Sequence, residues 1–155
     1  MDYLIKNAKV VDGTGAPAYT ADVAVTGDTI TQIGSINEPC ANTIDAAGRV
    51  LMPGIIDPHS HADAGIFNSD WSHQRITLGI TTEITGHCGP SPAPNCPENM
   101  ELLRRIYFDL TNTGVPFEWP FHDFKGWLDT VRAQKLSANY GFFVGHGTLR
   151  AYVMG

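Results

Sequence analysis

The sequence predicts an α/β fold with a parallel sheet, preceded by a run of short β-strands. Three β-type segments, Met52–Asp57, Ile80–Thr85 and Tyr140–Val144, are separated by segments of helical character. Strands that alternate with helices are typical of βαβ units, whose strands run parallel. The earlier part of the chain carries only strand-like segments and turns. We therefore expect two regions, residues 1–52 and residues 53–155.

The N-terminal region is predicted to be part of a small β-sandwich. Its strands are expected at Tyr3–Val11, Asp22–Thr26, Thr29–Ile33, Asn42–Asp45 and Arg49–Leu51. The second and third flank Gly27, a turn residue that tolerates positive φ, which predicts a hairpin. The fourth and fifth are predicted to pair with each other across Ala46–Gly48. A free-standing β domain is the alternative, but so few strands make a thin core.

Three helices are predicted between the later strands. The first covers Asp70–Leu78, with Asp70 as its N-cap and Gly79 just beyond its end. The second covers Glu98–Phe108, with Pro97 in its first turn. The third follows from apolar residues spaced at i, i+3, i+4 and i+7, namely Phe124, Trp127, Leu128 and Val131. This stripe is interpreted as core packing.

Two histidines follow the first parallel-type strand. Alternate residues of a strand point to the same face, so His59 and His61 are expected to project side by side. Two imidazoles in this arrangement can bind one divalent metal. Cys88 follows the neighbouring strand and would lie about 5 Å away, one strand spacing. A thiolate is a good zinc ligand, so the three residues together predict a metal site, although Cys88 alone would be read as a buried apolar residue.

These segments resemble a known family. Pro-Gly-Ile-Ile-Asp-Pro-His-Ser-His, at residues 53–61, resembles the first-strand signature of the amidohydrolase superfamily. Gly-Ile-Thr-Thr at 79–82, Gly-His-Cys-Gly at 86–89 and Val-Gly-His-Gly-Thr-Leu-Arg at 144–150 resemble its D-aminoacylase (N-acyl-D-amino-acid deacylase) branch. The resemblance runs over essentially the whole chain. It implies that the second region begins a (β/α)8 TIM-type barrel and contains about three of its eight strands.

The resemblance also implies a chemistry, zinc-dependent hydrolysis of N-acyl-D-amino acids. Cys88 would belong to a tightly bound zinc, and His59 and His61 would lie beside a second, weaker metal position. The family's catalytic Asp and further histidines come from later strands, so they are expected beyond Gly155 and no catalytic residue is assigned within this chain. Asp63 is a candidate for orienting His61 through its ring N–H, and His146 is a candidate for a role in the substrate or metal surroundings.

The remaining histidines and cysteines are expected to be ordinary. The motif more often has Asn where this chain has His87, so His87 is not counted as a ligand. His73 and His122 are interpreted as surface or packing residues, and Cys40 and Cys96 as structural.

Composition excludes several classes of partner. The net charge is −6 and no Lys/Arg cluster occurs, which argues against nucleic acid. No apolar run approaches the roughly 20 residues that cross a membrane, and the N-terminus lacks a signal-peptide pattern. Three cysteines without framework spacing indicate a reducing cytoplasm. We expect a small-molecule substrate.

Length points to a partial enzyme. A complete barrel needs about 250 residues, and this chain has 155. We therefore expect an N-terminal part of a longer protein, whose domain continues beyond Gly155, and expect this part to be inactive alone. Two alternatives to the deacylase stay open. One is a cyclic-amide hydrolase related to dihydroorotases or hydantoinases, and the other is a non-catalytic scaffold on the same fold.

Overall fold

The computed structural model describes residues 1–67, 69–111 and 119–154. The chain divides into two compact units, Met1–Pro53 and a second unit that begins at Gly54. The second unit has the predicted alternation of strands and helices, so the α/β class is confirmed. Among the described helices, none combines the length and the apolar character needed to cross a bilayer.

Gly155, the residue after which the family's catalytic Asp is expected, lies outside the described residues. The described chain therefore ends at Met154, within its last helix. The expectation that the barrel and its catalytic Asp continue beyond Gly155 stays a prediction.

The first unit is one mixed sheet. Its strands are β1 Tyr3–Val10, β2 Tyr19–Thr26, β3 Thr29–Gly34, β4 Thr43–Asp45 and β5 Val50–Leu51. The sheet order is β3-β2-β1-β4, and β5 also pairs with β1. The β2–β3 hairpin is confirmed, with φ of 60° at Gly27 in its turn.

The predicted pairing of the fourth strand with the fifth is wrong. Both β4 and β5 run parallel to β1, and they lie one after the other along it. The turn between them uses left-handed backbone at Ala47 and Gly48, with φ of 49° and 77°. This turn lets the chain continue along β1 in the same direction, so each short segment satisfies its backbone groups against the longer strand.

A buried carboxylate stabilises the middle of this sheet. A register shift interrupts the β1–β2 pairing between Ile5 and Ala8. At this point Asp22 accepts hydrogen bonds from the backbone N–H groups of Asn7, at 2.9 Å, and Ile36, at 3.1 Å. These two donors hold the pKa of Asp22 below its ordinary value of 3.8, and the charge of Lys6 contributes further.

The second unit is built on a parallel three-stranded sheet. Its elements are β6 Ile55–Ser60, α1 Ala62–Gly65, α2 Ser69–Thr77, β7 Ile80–Thr85, α3 Pro97–Thr111, α4 Phe124–Arg132, β8 Asn139–Phe142 and α5 His146–Met154. The sheet order is β6-β7-β8, and every pair is parallel. The C-terminal ends of the three strands therefore lie at the same edge, where the candidate site is found.

The three predicted helices are present. α2 begins at Ser69, one residue before the predicted N-cap, and Gly79 after it has the expected positive φ of 85°. In α4, Trp127 and Val131 are buried as the apolar spacing predicts. Trp127 is fully buried and packs edge-on against Phe121 and Phe142. Two helices were not predicted, namely the short α1 and α5, which begins at His146.

Candidate metal centre

The ends of β6 and β7 carry the side chains of the candidate site. His59 is the second-to-last residue of β6, and His61 follows directly after the strand. After β7 the chain turns at Gly86, whose φ is 91°. A Cβ atom there would overlap the carbonyl oxygen of Phe143. Both the conformation and the packing therefore require glycine, and the turn delivers Cys88 to the same edge of the sheet.

The structure brings His59, His61 and Cys88 together. Nε2 of His59 lies 2.7 Å from Sγ of Cys88, and the ring centroids of the two histidines are 6.1 Å apart. One candidate ligand atom from each residue lies within 4.8 Å of the other two, and within the described ranges no other His, Cys, Asp or Glu cluster has this spacing. His59 and Cys88 are exposed and His61 is half-buried, so solvent and small molecules can reach the cluster.

The chemistry of the cluster fits a zinc-type metal ion. Imidazole nitrogen and thiolate sulfur are the donors that zinc prefers, at about 2.0–2.3 Å from the ion. Three donor atoms within 4.8 Å of one another can approach one ion with small side-chain adjustments. Three ligands leave room for a fourth, which is typical of catalytic rather than structural zinc sites.

His87 packs against the cluster from one side. Its ring stacks on the ring of His59, with centroids 5.1 Å apart and an interplanar angle of 25°. The His87 ring also packs edge-on against Phe143, with the ring centroids 4.8 Å apart. The described ligand group does not include His87. Its contacts instead restrict the orientation of the His59 ring.

The loop after Cys88 is locked to the turn after β8. The hydroxyl of Ser91 accepts a hydrogen bond from the backbone N–H of Gly145 at 2.9 Å, and Thr148 Oγ1 accepts one from the backbone N–H of Ser91 at 2.7 Å. The backbone N–H of Thr148 donates to the carbonyl oxygen of Gly89 at 3.2 Å. Ser91 and Thr148 are both 1% exposed. The two connections therefore form one buried interlock beside Cys88.

The other two predicted site residues, Asp63 and His146, have different surroundings. Asp63 is in the first turn of α1, two residues after His61, and is 1% exposed. His146 is exposed and begins α5, next to the interlock. Their functional roles stay predictions. His122 contacts Asn95 Oδ1 through Nδ1 at 3.0 Å, and His73 is exposed on α2.

An ion-pair network behind the cluster was not predicted. The Arg75 guanidinium contacts two carboxylates, pairing Nε with Glu83 at 3.1 Å and Nη2 with Asp57. Glu83 is fully buried and also accepts a 2.6 Å hydrogen bond from the Ser60 hydroxyl. Burial raises the pKa of the Tyr140 phenol above its ordinary value, and the negative charge of Glu83 adds to the rise. The sequence signal was a glutamate within a β-branched strand, since a buried carboxylate requires a partner.

The parallel sheet and the cluster at the C-terminal ends of its strands are features of metal-dependent hydrolases of the barrel class. The amidohydrolase family profile "Amidohydro_3" matches residues 42–152, and the chain belongs to this family.

Two curated relatives that the chain resembles over almost its whole length are deacylases. It is 36% identical to the D-aminoacylase of Alcaligenes xylosoxydans xylosoxydans over 154 residues, which are 99% of this chain and 31% of the relative. It is 35% identical to the N-acyl-D-aspartate deacylase of the same organism over 158 residues, covering 99% of this chain and 30% of that protein. The chain thus spans about a third of the length of these relatives.

A solved structure shows the same relationship. The N-acyl-D-glutamate deacylase of Bordetella bronchiseptica is 32% identical to this chain and matches it with a TM-score of 0.81. The match covers 99% of this chain and 31% of that one. That protein was solved with zinc and a phosphonate inhibitor that mimics the tetrahedral intermediate of its reaction.

Proposed function

We propose that this chain is part of a zinc-dependent amidohydrolase that hydrolyses the amide bond of N-acyl-D-amino acids, releasing a D-amino acid and a carboxylate. The observation that carries the proposal is the cluster of His59, His61 and Cys88 at the C-terminal edge of a parallel sheet. The similarity to D-aminoacylase over 99% of this chain supports the substrate class. The remaining strands, ligands and catalytic Asp would come from residues beyond Gly155, because the relatives are about three times longer.

The proposal assigns a part of the fold to each of the two regions expected from the sequence. Residues 1–52 would contribute part of a small β-sandwich, and residues 53–155 would form the first part of the (β/α)8 barrel. The substrate is a small molecule, and the net charge of −6 gives no basis for a nucleic-acid partner. All three cysteines are free thiols, which supports a cytoplasmic location.

Different residues of the chain would bind different metal positions. Cys88 would bind a tightly held zinc through its thiolate, and His59 and His61 would serve a second, weaker position. When bound, zinc activates water for attack and polarises the substrate carbonyl. His59 Nε2 lies only 2.7 Å from Cys88 Sγ, so either metal position would take ligands from the ends of both β6 and β7.

The other site residues orient these ligands. The stacked ring of His87 restricts the rotation of His59. Asp63 would orient His61, and His146 would face the substrate from the start of α5. The interlock of Ser91 and Thr148 keeps the Cys88 loop beside that helix.

The test is stereochemical. The longer protein that contains this chain should hydrolyse N-acetyl-D-amino acids and largely ignore the L forms, as chiral analysis of the released amino acid would show. Hydantoin and dihydroorotate belong in the same panel. Equal rates on both enantiomers, or activity only on the cyclic amides, would assign the protein to the cyclic-amide hydrolases. A protein that binds zinc but turns over nothing in the panel would point to the scaffold alternative.

A further inference from the structure

One arginine connects the two strands that carry the candidate metal ligands. Arg75 lies on α2, which precedes β7 in the chain. Its guanidinium pairs with Asp57 on β6 and with Glu83 on β7. Asp57 and Glu83 are direct neighbours in the parallel register of the sheet. A single cation therefore sets the spacing of the two side chains, and a planar guanidinium is suited to binding two carboxylates at fixed angles.

Both partners of this arginine act on the backbone of the histidine segment. Asp57 Oδ1 accepts a 3.1 Å hydrogen bond from the backbone N–H of His59. The Ser60 hydroxyl donates a 2.6 Å hydrogen bond to Glu83 Oε2. The same hydroxyl accepts a 3.0 Å hydrogen bond from the backbone N–H of Ala62. His61 lies between the two residues joined by this last hydrogen bond. The positions of both histidines thus depend on carboxylates that Arg75 holds.

Burial makes this arrangement specific. Glu83 is fully buried, and its second oxygen, Oε1, has no hydrogen-bond partner within the described part of the chain. Its orientation is therefore set by the two partners on Oε2, the Arg75 guanidinium and the Ser60 hydroxyl. Loss of either partner would free the carboxylate to rotate, and the histidine segment would lose its support.

We propose that Arg75 is a positioning residue of the metal centre, holding Asp57 and Glu83 so that His59 and His61 face Cys88. The inference rests on the proposed function, since it assigns the network to the metal site of that enzyme. If Arg75 has this role, the network must determine metal affinity as well as folding. Residues that orient metal ligands in this way typically change metal affinity or activity by about 10- to 100-fold when mutated.

The experiment measures zinc affinity by chelator competition in the longer protein that contains this chain. Ser60→Ala removes only one hydroxyl, and the double variant Arg75→Met/Glu83→Gln removes the pair between Arg75 and Glu83 without leaving a charge on the fully buried Glu83 side chain. Both should weaken zinc binding about 10- to 100-fold. Thermal unfolding of the metal-free proteins accompanies each measurement. Ser60→Ala should unfold at a lower temperature than the wild type, because the buried N–H of Ala62 loses its acceptor. Zinc affinity is therefore compared at a temperature where each metal-free protein is still folded, so that weaker binding cannot be attributed to unfolding.

The double variant Arg105→Met/Glu101→Gln is the matched control. Arg105 forms an exposed i,i+4 pair with Glu101, and its side chain is 75% exposed. This control removes the same two charges as Arg75→Met/Glu83→Gln and should keep wild-type zinc affinity. Unchanged affinity in Ser60→Ala and in Arg75→Met/Glu83→Gln, with wild-type protein that binds zinc and is active, would overturn the positioning role alone. Wild-type protein that binds no zinc would overturn both this role and the proposed function.

Discussion

Gly145→Ala tests whether the interlock beside Cys88 needs the close approach of the Gly145 backbone to the backbone of Gly89 and Pro90. A Cβ atom at Gly145 would overlap the carbonyl oxygen of Gly89 and lie 2.6 Å from the carbonyl carbon of Pro90. Non-bonded carbon atoms prefer separations of about 3.5–4.0 Å, so the two segments must part by about 1 Å. Both sides of the contact are backbone, so no side chain can rotate away to make room.

The cost follows from two terms. Overpacking a well-packed site costs about 1–3 kcal/mol. Separation also breaks the 2.9 Å hydrogen bond from the Gly145 N–H to the buried Ser91 hydroxyl, and leaving buried groups unpaired costs about 1–3 kcal/mol. We therefore expect the free energy of unfolding to fall by about 2–6 kcal/mol, a large part of the roughly 5–15 kcal/mol typical of a domain.

The assay is urea unfolding of the longer protein that contains this chain, followed by tryptophan fluorescence, since Trp127 is fully buried in the core of the second unit. Gly147→Ala is the matched control. Its Cβ atom would lie 3.1 Å from the same Gly89 oxygen, and the position is within α5, where alanine is favoured over glycine by up to about 1 kcal/mol. The control should stay within about 1 kcal/mol of the wild type. Equal stability of the two variants would refute the argument from the close approach.

Three further predictions concern the metal, acid and the isolated chain. Cys88→Ala in the longer protein should remove most of the tightly bound zinc and nearly all deacylase activity, whereas His59→Ala should spare more of the zinc. Elemental analysis measures the metal content. Full zinc content with full turnover in Cys88→Ala would rule out Cys88 as a ligand. Because the pKa of Asp22 is lowered in the fold, its ionised form stabilises the first unit above pH 3.8, and this contribution is lost as the pH falls below that value. Unfolding of Asp22→Asn should therefore depend less on acid than that of the wild type, and identical acid profiles would contradict this. The 155-residue chain alone should aggregate, because Ile55 and Ile56 on β6 are 47% and 62% exposed. It should also show no turnover of N-acetyl-D-methionine with added zinc. Sustained turnover by a soluble monomer would contradict both expectations.

Local patterns were sufficient for the parallel part of the fold. The β-branched segment that ends before Cys88 and the spacing around Trp127 identified β7 and α4, since burial on one or both faces leaves a periodic signature. The proximity of His59 to Cys88 followed from the neighbouring parallel strands. The actual Nε2–Sγ distance of 2.7 Å is shorter than the strand spacing because side chains lean together across the strand ends.

Local sequence patterns did not show which strands and which side chains pair with one another. Thr43–Asp45 and Val50–Leu51 are too short to specify a partner, and both pair with β1 because it offers a long free edge. The link from Arg75 to Asp57 was missed for a similar reason, because it spans 18 residues and depends on how α2 packs on the sheet. α5 was missed because Gly147 near its start is a poor helix former.

The interlock beside Cys88 also bears on biosynthesis. Its hydrogen bonds join residues 54 to 59 positions apart, and the pair of His59 and Cys88 is 29 positions apart. On the ribosome the histidine and cysteine emerge well before Thr148, so the Cys88 loop lacks these hydrogen bonds for several seconds at roughly 5–20 residues per second. Nascent chains in this interval would expose the Cys88 thiol before the hydrogen bonds that fix its loop have formed.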